Sequence, residues 1–173
     1  RRRPGTVGIS AAIRTRYGVE AVPHLICGGL SRYDIEDALI DMDFLGLHNV
    51  LALRGDKAPG ETAFTTHPQG HAHACDLVRQ IAAMNRGEFV DGEVAECHHS
   101  RFSIGVAGYP ETHVEATDPA SDLRRLGEKV AAGADYVVTQ MCFDNRRFFD
   151  FCDRCRDAGI DVPIIPGIKP LAD

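Results

Sequence analysis

An α/β fold on a parallel sheet is predicted by three features of the sequence. Short apolar runs alternate with helical stretches of about 10–15 residues along the whole chain. The runs are continuously apolar rather than alternating, as strands covered on both faces are. Polar and unusual residues sit directly after the runs, at Arg54-Gly55-Asp56, at Tyr109-Pro110-Glu111-Thr112-His113 and at Gln140. A doubly wound sheet and a (β/α)8 TIM barrel both satisfy the first two features. The third favours the barrel, which builds its site from several strand C-termini. The first strand–helix turn, Cys27-Gly28-Gly29-Leu30-Ser31, lacks GxGxxG, and no Walker sequence occurs. A complete barrel takes roughly 200–250 residues. At 173 residues the chain is expected to be a single domain holding an incomplete barrel.

The elements follow in order. Residues 6–17 have helical character and stop at Gly18, a C-terminal cap. Residues 22–27 are a short apolar run bounded by Gly28-Gly29, the first strand. Ser31 or Asp34 caps a helix over 35–45, where Ile35, Leu39 and Met42 recur at helical spacing and Gly46 closes. Residues 49–53 form the second strand. A polar stretch over 57–69 precedes a helix over 70–85, and 86–101 reads as irregular, charged surface. Residues 102–107 are the third strand. Asp118-Pro119 caps a helix that runs to Ala132 and ends at Gly133. Residues 136–139 are the fourth strand, 145–158 its helix, and 162–166 the fifth strand.

Composition excludes several classes of function. Hydrophobic residues make up 44% and charged residues 25%, enough apolar side chain to order a core. The net charge of −6, with no basic face after Arg1-Arg2-Arg3, argues against a partner held by phosphate neutralisation, so no nucleic acid is expected. No run approaches 18 apolar residues, so no membrane span is expected. The start, Arg1-Arg2-Arg3-Pro4-Gly5, lacks the apolar region of a secretory signal, and both ends are expected to be cuts in a longer chain. The six cysteines, Cys27, Cys75, Cys97, Cys142, Cys152 and Cys155, read as reduced thiols of a cytoplasmic protein. Cys152 and Cys155 fall well inside a helical pattern, whereas a redox pair opens a helix after a strand. They are expected to be packing or surface thiols.

Four positions attract chemistry. In Arg54-Gly55-Asp56 a glycine between two charges lets the backbone approach a ligand, although a plain surface turn has the same composition. Gln140 can donate and accept at once, which suits a heterocycle edge or a neighbouring loop. Lys129 in the last turn of its helix complements the helix dipole. His67, His71, His73, Cys75, Cys97 and His98 are zinc-ligand types, but their spacing matches no zinc pattern, so no metal is expected.

Seven strings in order carry a resemblance. They are Pro23-His24-Leu25-Ile26-Cys27, Val50-Leu51-Ala52-Leu53-Arg54-Gly55-Asp56 and His73-Ala74-Cys75-Asp76-Leu77-Val78 in the first part of the chain. Val106-Ala107-Gly108-Tyr109-Pro110-Glu111-Thr112-His113-Val114-Glu115-Ala116 and Lys129-Val130-Ala131-Ala132-Gly133-Ala134-Asp135 follow. Thr139-Gln140-Met141-Cys142-Phe143-Asp144 and Ile164-Ile165-Pro166-Gly167-Ile168-Lys169-Pro170 complete the set. Together they resemble methylenetetrahydrofolate reductase over nearly the whole chain from residue 20 onwards.

That resemblance implies a (β/α)8 barrel with bound FAD. It also implies ping-pong hydride transfer from NAD(P)H, through the flavin, to 5,10-methylenetetrahydrofolate, giving 5-methyltetrahydrofolate. His24, Arg54, Gly55, Asp56, His73, Ala74, Tyr109, His113, Ala116, Asp122 and Lys129 match positions that contact FAD. Asp56 matches a carboxylate near the flavin and the pterin, and Gln140 an amide that meets the pterin and, in the other half-reaction, the nicotinamide; these two are the expected catalytic and substrate-binding residues. His73 stands where the family commonly has Tyr, Cys142 where an aromatic is frequent, and Arg125, often Asn in the family, is not carried over. The family's catalytic Glu lies on the first strand. On this register the chain holds strands three to seven and lacks one, two and eight, so the fragment alone is expected to be inactive. A homo-oligomer is expected at full length. The competing reading is a cofactor-free or metal-binding barrel paralogue.

Overall fold

The structure, a computed structural model, describes residues 4–57, 64–93 and 99–169. It divides into two compact units, Arg1–Ile104 and Gly105–Asp173. The first contains α1 (Thr6–Tyr17), β1 (His24–Ile26), α2 (Arg32–Phe44), β2 (Asn49–Leu53), α3 (Ala74–Met84), β3 (Glu88–Phe89) and β4 (Gly92–Glu93), and it ends in the first residues of β5 (Ser103–Gly108). The second contains the rest of β5, then α4 (Pro119–Ala131), β6 (Tyr136–Thr139), α5 (Asn145–Asp157) and β7 (Ile164–Ile165). An α/β architecture on parallel strands is therefore what the chain adopts.

In the first unit β1 and β2 are parallel, with His24 opposite Leu51 and Ile26 opposite Leu53. The pairing runs on into the turn, where the Gly28 N–H donates to the Arg54 carbonyl at 2.9 Å. On the other side of β2, the Ser103 N–H donates to the His48 carbonyl at 2.7 Å, so β5 starts as its neighbour. α2 begins on a reciprocal capping box: the Asp34 N–H donates to Ser31 Oγ at 3.1 Å and the Ser31 N–H to Asp34 Oδ2 at 2.8 Å. Ser31 Oγ also donates to Asp34 Oδ2 at 2.6 Å, and this bond, together with that from the Ser31 N–H, holds the Asp34 carboxyl below its usual pKa. The face of α2 that carries Ile35, Leu39 and Met42 is buried, as is the α3 face that carries Leu77, Val78, Ile81 and Met84. Each such side chain contributes about 2 kcal/mol by leaving water. Val50 and Ala52 of β2 and Leu25 and Cys27 at β1 are buried with them.

Three expectations need correction in this unit. β1 is not buried on both faces: Leu25 is covered, while His24 and Ile26 on the opposite face are exposed. The helix expected from residue 70 starts at Ala74, because a turn closed by the Gly70 N–H on the His67 carbonyl precedes it. Gly70 lies so close to the Leu30 carbonyl that no side chain fits there. The stretch over 86–101 is not uniformly irregular. It opens with an antiparallel hairpin, Glu88 opposite Glu93 and Phe89 opposite Gly92. The hairpin is tied to α2 by Tyr33 Oη donating to Asp91 at 2.7 Å and the Val90 N–H donating to Glu36 at 2.7 Å.

In the second unit β5, β6 and β7 are parallel in that order, with Gly105 opposite Tyr136 and Val137 opposite Ile164. Gly105 leaves room for the Tyr136 ring, which a Cβ there would strike at 2.5 Å. α4 starts on Asp118, whose side chain accepts the Ser121 N–H at 2.8 Å, with Pro119 in the first turn. α5 buries Phe151, Cys152 and Cys155. Burial pushes the Cys152 thiol up and the Cys155 thiol up to about 11, the direction that disfavours the reactive thiolate. Among the described residues no helix is long and apolar enough to cross a membrane.

Candidate functional site

The predicted site residues of the first unit gather where β1 and β2 end. His24 lies on the exposed face of β1, and Arg54, Gly55 and Asp56 follow β2 directly. Gly55 takes φ 88°, a left-handed backbone that favours glycine, and lies against the Ile26 side chain. The Arg54 guanidinium lies 4.7 Å from the centroid of the Phe64 ring, and its Nε donates to the Gly55 carbonyl at 3.4 Å. Asp56 is exposed and lines an open cleft of about 420 Å³ with Ile26, Gly28, Gly29, Lys57 and Phe64. His73 precedes α3 with extended backbone, and no side chain caps that helix. Ala74 is the first helical residue.

The histidines around this cleft have other partners. His71 Nε2 lies 2.6 Å from Gln80 Oε1, and His67 Nδ1 accepts the Gln69 N–H at 3.1 Å. Among the described residues no three His, Cys, Asp or Glu side chains are grouped to hold a metal. Cys97 and His98 lie outside the described residues.

In the second unit four predicted residues meet. Tyr109 follows β5, and its ring packs edge-on against His113 with centroids 4.6 Å apart. The His113 N–H donates to Asp122 Oδ2 at 2.9 Å. Lys129 does not point to its helix end; its Nζ donates to the Ala107 carbonyl at 2.5 Å, on the last residues of β5. Tyr109, Asp122 and Lys129 border a cavity of about 10 Å³, room for one water. Ala116 closes the same loop, its N–H donating to the His113 carbonyl at 2.9 Å. Thr112, between them, has φ 73°, which is strained for a β-branched residue. Gln140 follows β6 with its side chain exposed, while its N–H donates to the Gly108 carbonyl at 2.8 Å.

Sequence reasoning missed the groups that hold these loops. Arg147 donates to Glu111 at 2.8 Å and Arg154 to the Pro110 carbonyl at 3.3 Å, so α5 braces the loop that carries Tyr109 and His113. Their spacing along one helix face was the available signal. Phe64 was missed as well, since nothing local marks an aromatic in a polar stretch as a partner of Arg54.

Comparison with known proteins agrees along the whole chain. The family described as methylenetetrahydrofolate reductase matches residues 1–173. The 5,10-methylenetetrahydrofolate reductase of Escherichia coli (strain K12) is 38% identical over 171 residues, covering 99% of this chain and 51% of the relative. Methylenetetrahydrofolate reductase 2 of Saccharomyces cerevisiae is 37% identical over 163 residues, covering 93% of this chain and 25% of the relative. A probable methylenetetrahydrofolate reductase (NADH) of Oryza sativa subsp. japonica is 38% identical over 175 residues, covering 96% and 27%. The chain thus spans about half the length of the bacterial relative and about a quarter of the other two. With every part of it matched, the chain belongs to the methylenetetrahydrofolate reductase family.

Proposed function

We propose that the full-length protein reduces 5,10-methylenetetrahydrofolate to 5-methyltetrahydrofolate, with FAD as cofactor and NAD(P)H as hydride source. The observation that carries this reading is the placement of Arg54, Gly55 and Asp56 at the end of β2, and of Tyr109, His113, Asp122 and Lys129 at the end of β5. The donor set suits FAD. In the first unit Arg54 supplies positive charge for the flavin's phosphates or ring; in the second Lys129 does the same, and Asp122 and Tyr109 supply partners for hydroxyls and amides. Gly29, where a Cβ would meet nothing within 4 Å, leaves backbone open to a flat ring. His24, His73, Ala74, His113 and Ala116 complete the proposed contacts. Bound FAD supplies two-electron chemistry that lets NAD(P)H and the folate react in turn, a ping-pong scheme.

The chain's own residues then divide the work. The Asp56 carboxylate stabilises positive charge on the folate, favouring the iminium form that accepts hydride. The Gln140 amide donates to and accepts from the pterin edge, and does the same for the carboxamide of the nicotinamide. In this reading residues 1–173 are part of one (β/α)8 barrel catalytic domain, supplying its third to seventh strands, in a protein that is a cytoplasmic homo-oligomer at full length. The test is direct: full-length protein with FAD, NADH or NADPH, and 5,10-methylenetetrahydrofolate is expected to form 5-methyltetrahydrofolate, and no product with either nucleotide would refute the reading.

A further inference from the structure

We infer that Phe64 is a positioning residue for Arg54, holding its guanidinium ready for the FAD diphosphate or ring. The inference rests on the reading of Arg54 as an FAD contact. Two observations place the ring. The Arg54 guanidinium carbon lies 4.7 Å from the Phe64 centroid, within cation–π range. The ring also sits so tightly on Gly28 that a Cβ there would meet Phe64 Cε2 at 2.9 Å and Cζ at 3.1 Å. The Gly28 N–H is itself bonded to the Arg54 carbonyl at 2.9 Å, so ring, glycine and arginine form one packed unit.

The segment that brings Phe64 there is fastened downstream. The Arg32 N–H donates to the Gln69 carbonyl at 3.0 Å, and Gly70 is pressed against the Leu30 carbonyl. Gln80 joins the two sides, its Nε2 donating to the Arg32 carbonyl at 2.8 Å while its Oε1 meets His71 Nε2 at 2.6 Å. Residues 64–71 are thereby stapled to the turn between β1 and α2, and Phe64 is the side chain this staple delivers to Arg54. An arginine has many rotamers, and restricting them before a ligand arrives removes part of the ordering cost of binding. The aromatic face does so without neutralising the charge, as a carboxylate partner would.

The test is FAD affinity of the full-length protein, read by flavin fluorescence or absorbance rather than by turnover. Phe64→Leu keeps the bulk and removes the π face, and is expected to weaken FAD binding about fivefold. Phe64→Tyr restores the face and is expected to bind within about twofold of the parent. Gly28→Ala displaces the ring and also crowds the Arg54 carbonyl, 3.1 Å from the added Cβ, and is expected to weaken FAD binding at least as much as Phe64→Leu. In an Arg54→Met background, Phe64→Leu is expected to cost nothing further, since it acts through the guanidinium. Equal binding by the parent and Phe64→Leu overturns the inference, and so does an undiminished Phe64→Leu effect in the Arg54→Met background. A parent protein that binds no FAD overturns the FAD reading itself, and this inference with it.

Discussion

Asp56→Asn in the full-length enzyme is expected to slow the half-reaction that consumes the folate about a hundredfold, and to leave reduction by NAD(P)H nearly unchanged. The substitution keeps the shape of the side chain and removes only its charge. Asp56 is exposed at the mouth of the cleft beside Ile26, Gly28 and Phe64, where its carboxylate is accessible to a ligand. A fixed negative charge stabilises a developing or existing cation, and of the two substrates only the folate accepts hydride as one. Gln140→Ala is expected to behave differently, weakening the binding of both substrates, because in the proposed scheme one amide meets them in turn. Stopped-flow measurement of the two half-reactions separates the cases. Equal slowing of both by Asp56→Asn would reduce the carboxylate to a group that only positions the flavin.

Gly167→Ala is expected to destabilise the full-length protein by about 3 kcal/mol. A Cβ on Gly167 would collide with the Thr139 backbone carbonyl, and its next nearest contacts are the Thr139 and Gln140 carbonyl carbons. Backbone cannot rotate out of the way as a side-chain tip can. The Gly167 N–H also donates to Thr139 Oγ1 at 3.1 Å, and Thr139 is buried, so the clash falls on a fixed pair of segments. Relief requires the end of β6 to move, and Gln140 with it, so the same variant is expected to lose affinity for the folate. Gly8→Ala is the matched control: it lies inside α1, its Cβ would meet nothing within 4 Å, and helix propensity favours alanine. Thermal melting of the two variants checks both expectations. A Gly167→Ala protein that melts with the parent would contradict the packing described for this segment.

The parts of the fold that were legible in the sequence are those fixed by local chemistry. β2 and β6 were readable to the residue because apolar runs are bounded there by Asn49 and Arg54, and by Asp135 and Gln140. α4 was readable from Asp118-Pro119, since the cap side chain and the proline both fit only a helix start. The hairpin at Glu88–Glu93 was missed although Asp91-Gly92 is a turn signal, because its strands are two residues each and are held by α2 rather than by their own propensity. The late start of α3 was illegible for a similar reason. Ahead of Ala74 lies the turn closed by the Gly70 N–H on the His67 carbonyl, with Gly70 close under the Leu30 carbonyl, a contact between segments remote in sequence.

The site divides in the same way. Arg54, Gly55 and Asp56 announced themselves by falling directly after an apolar strand. Asp122 and Lys129 did not, since a carboxylate in a first turn and a lysine in a last turn both serve a helix dipole. Their roles depend on where α4 lies against β5, seen in the Lys129 bond to Ala107 and the Asp122 bond to His113. The resemblance assigned them; residue pattern alone did not.

Whether the full-length protein is a flavoprotein is read from its visible spectrum after purification, reconstitution with FAD and removal of free cofactor. Flavin absorbance is expected at one FAD per chain, bleached by NAD(P)H and restored by 5,10-methylenetetrahydrofolate. A folded protein that stays colourless after reconstitution would contradict the FAD reading.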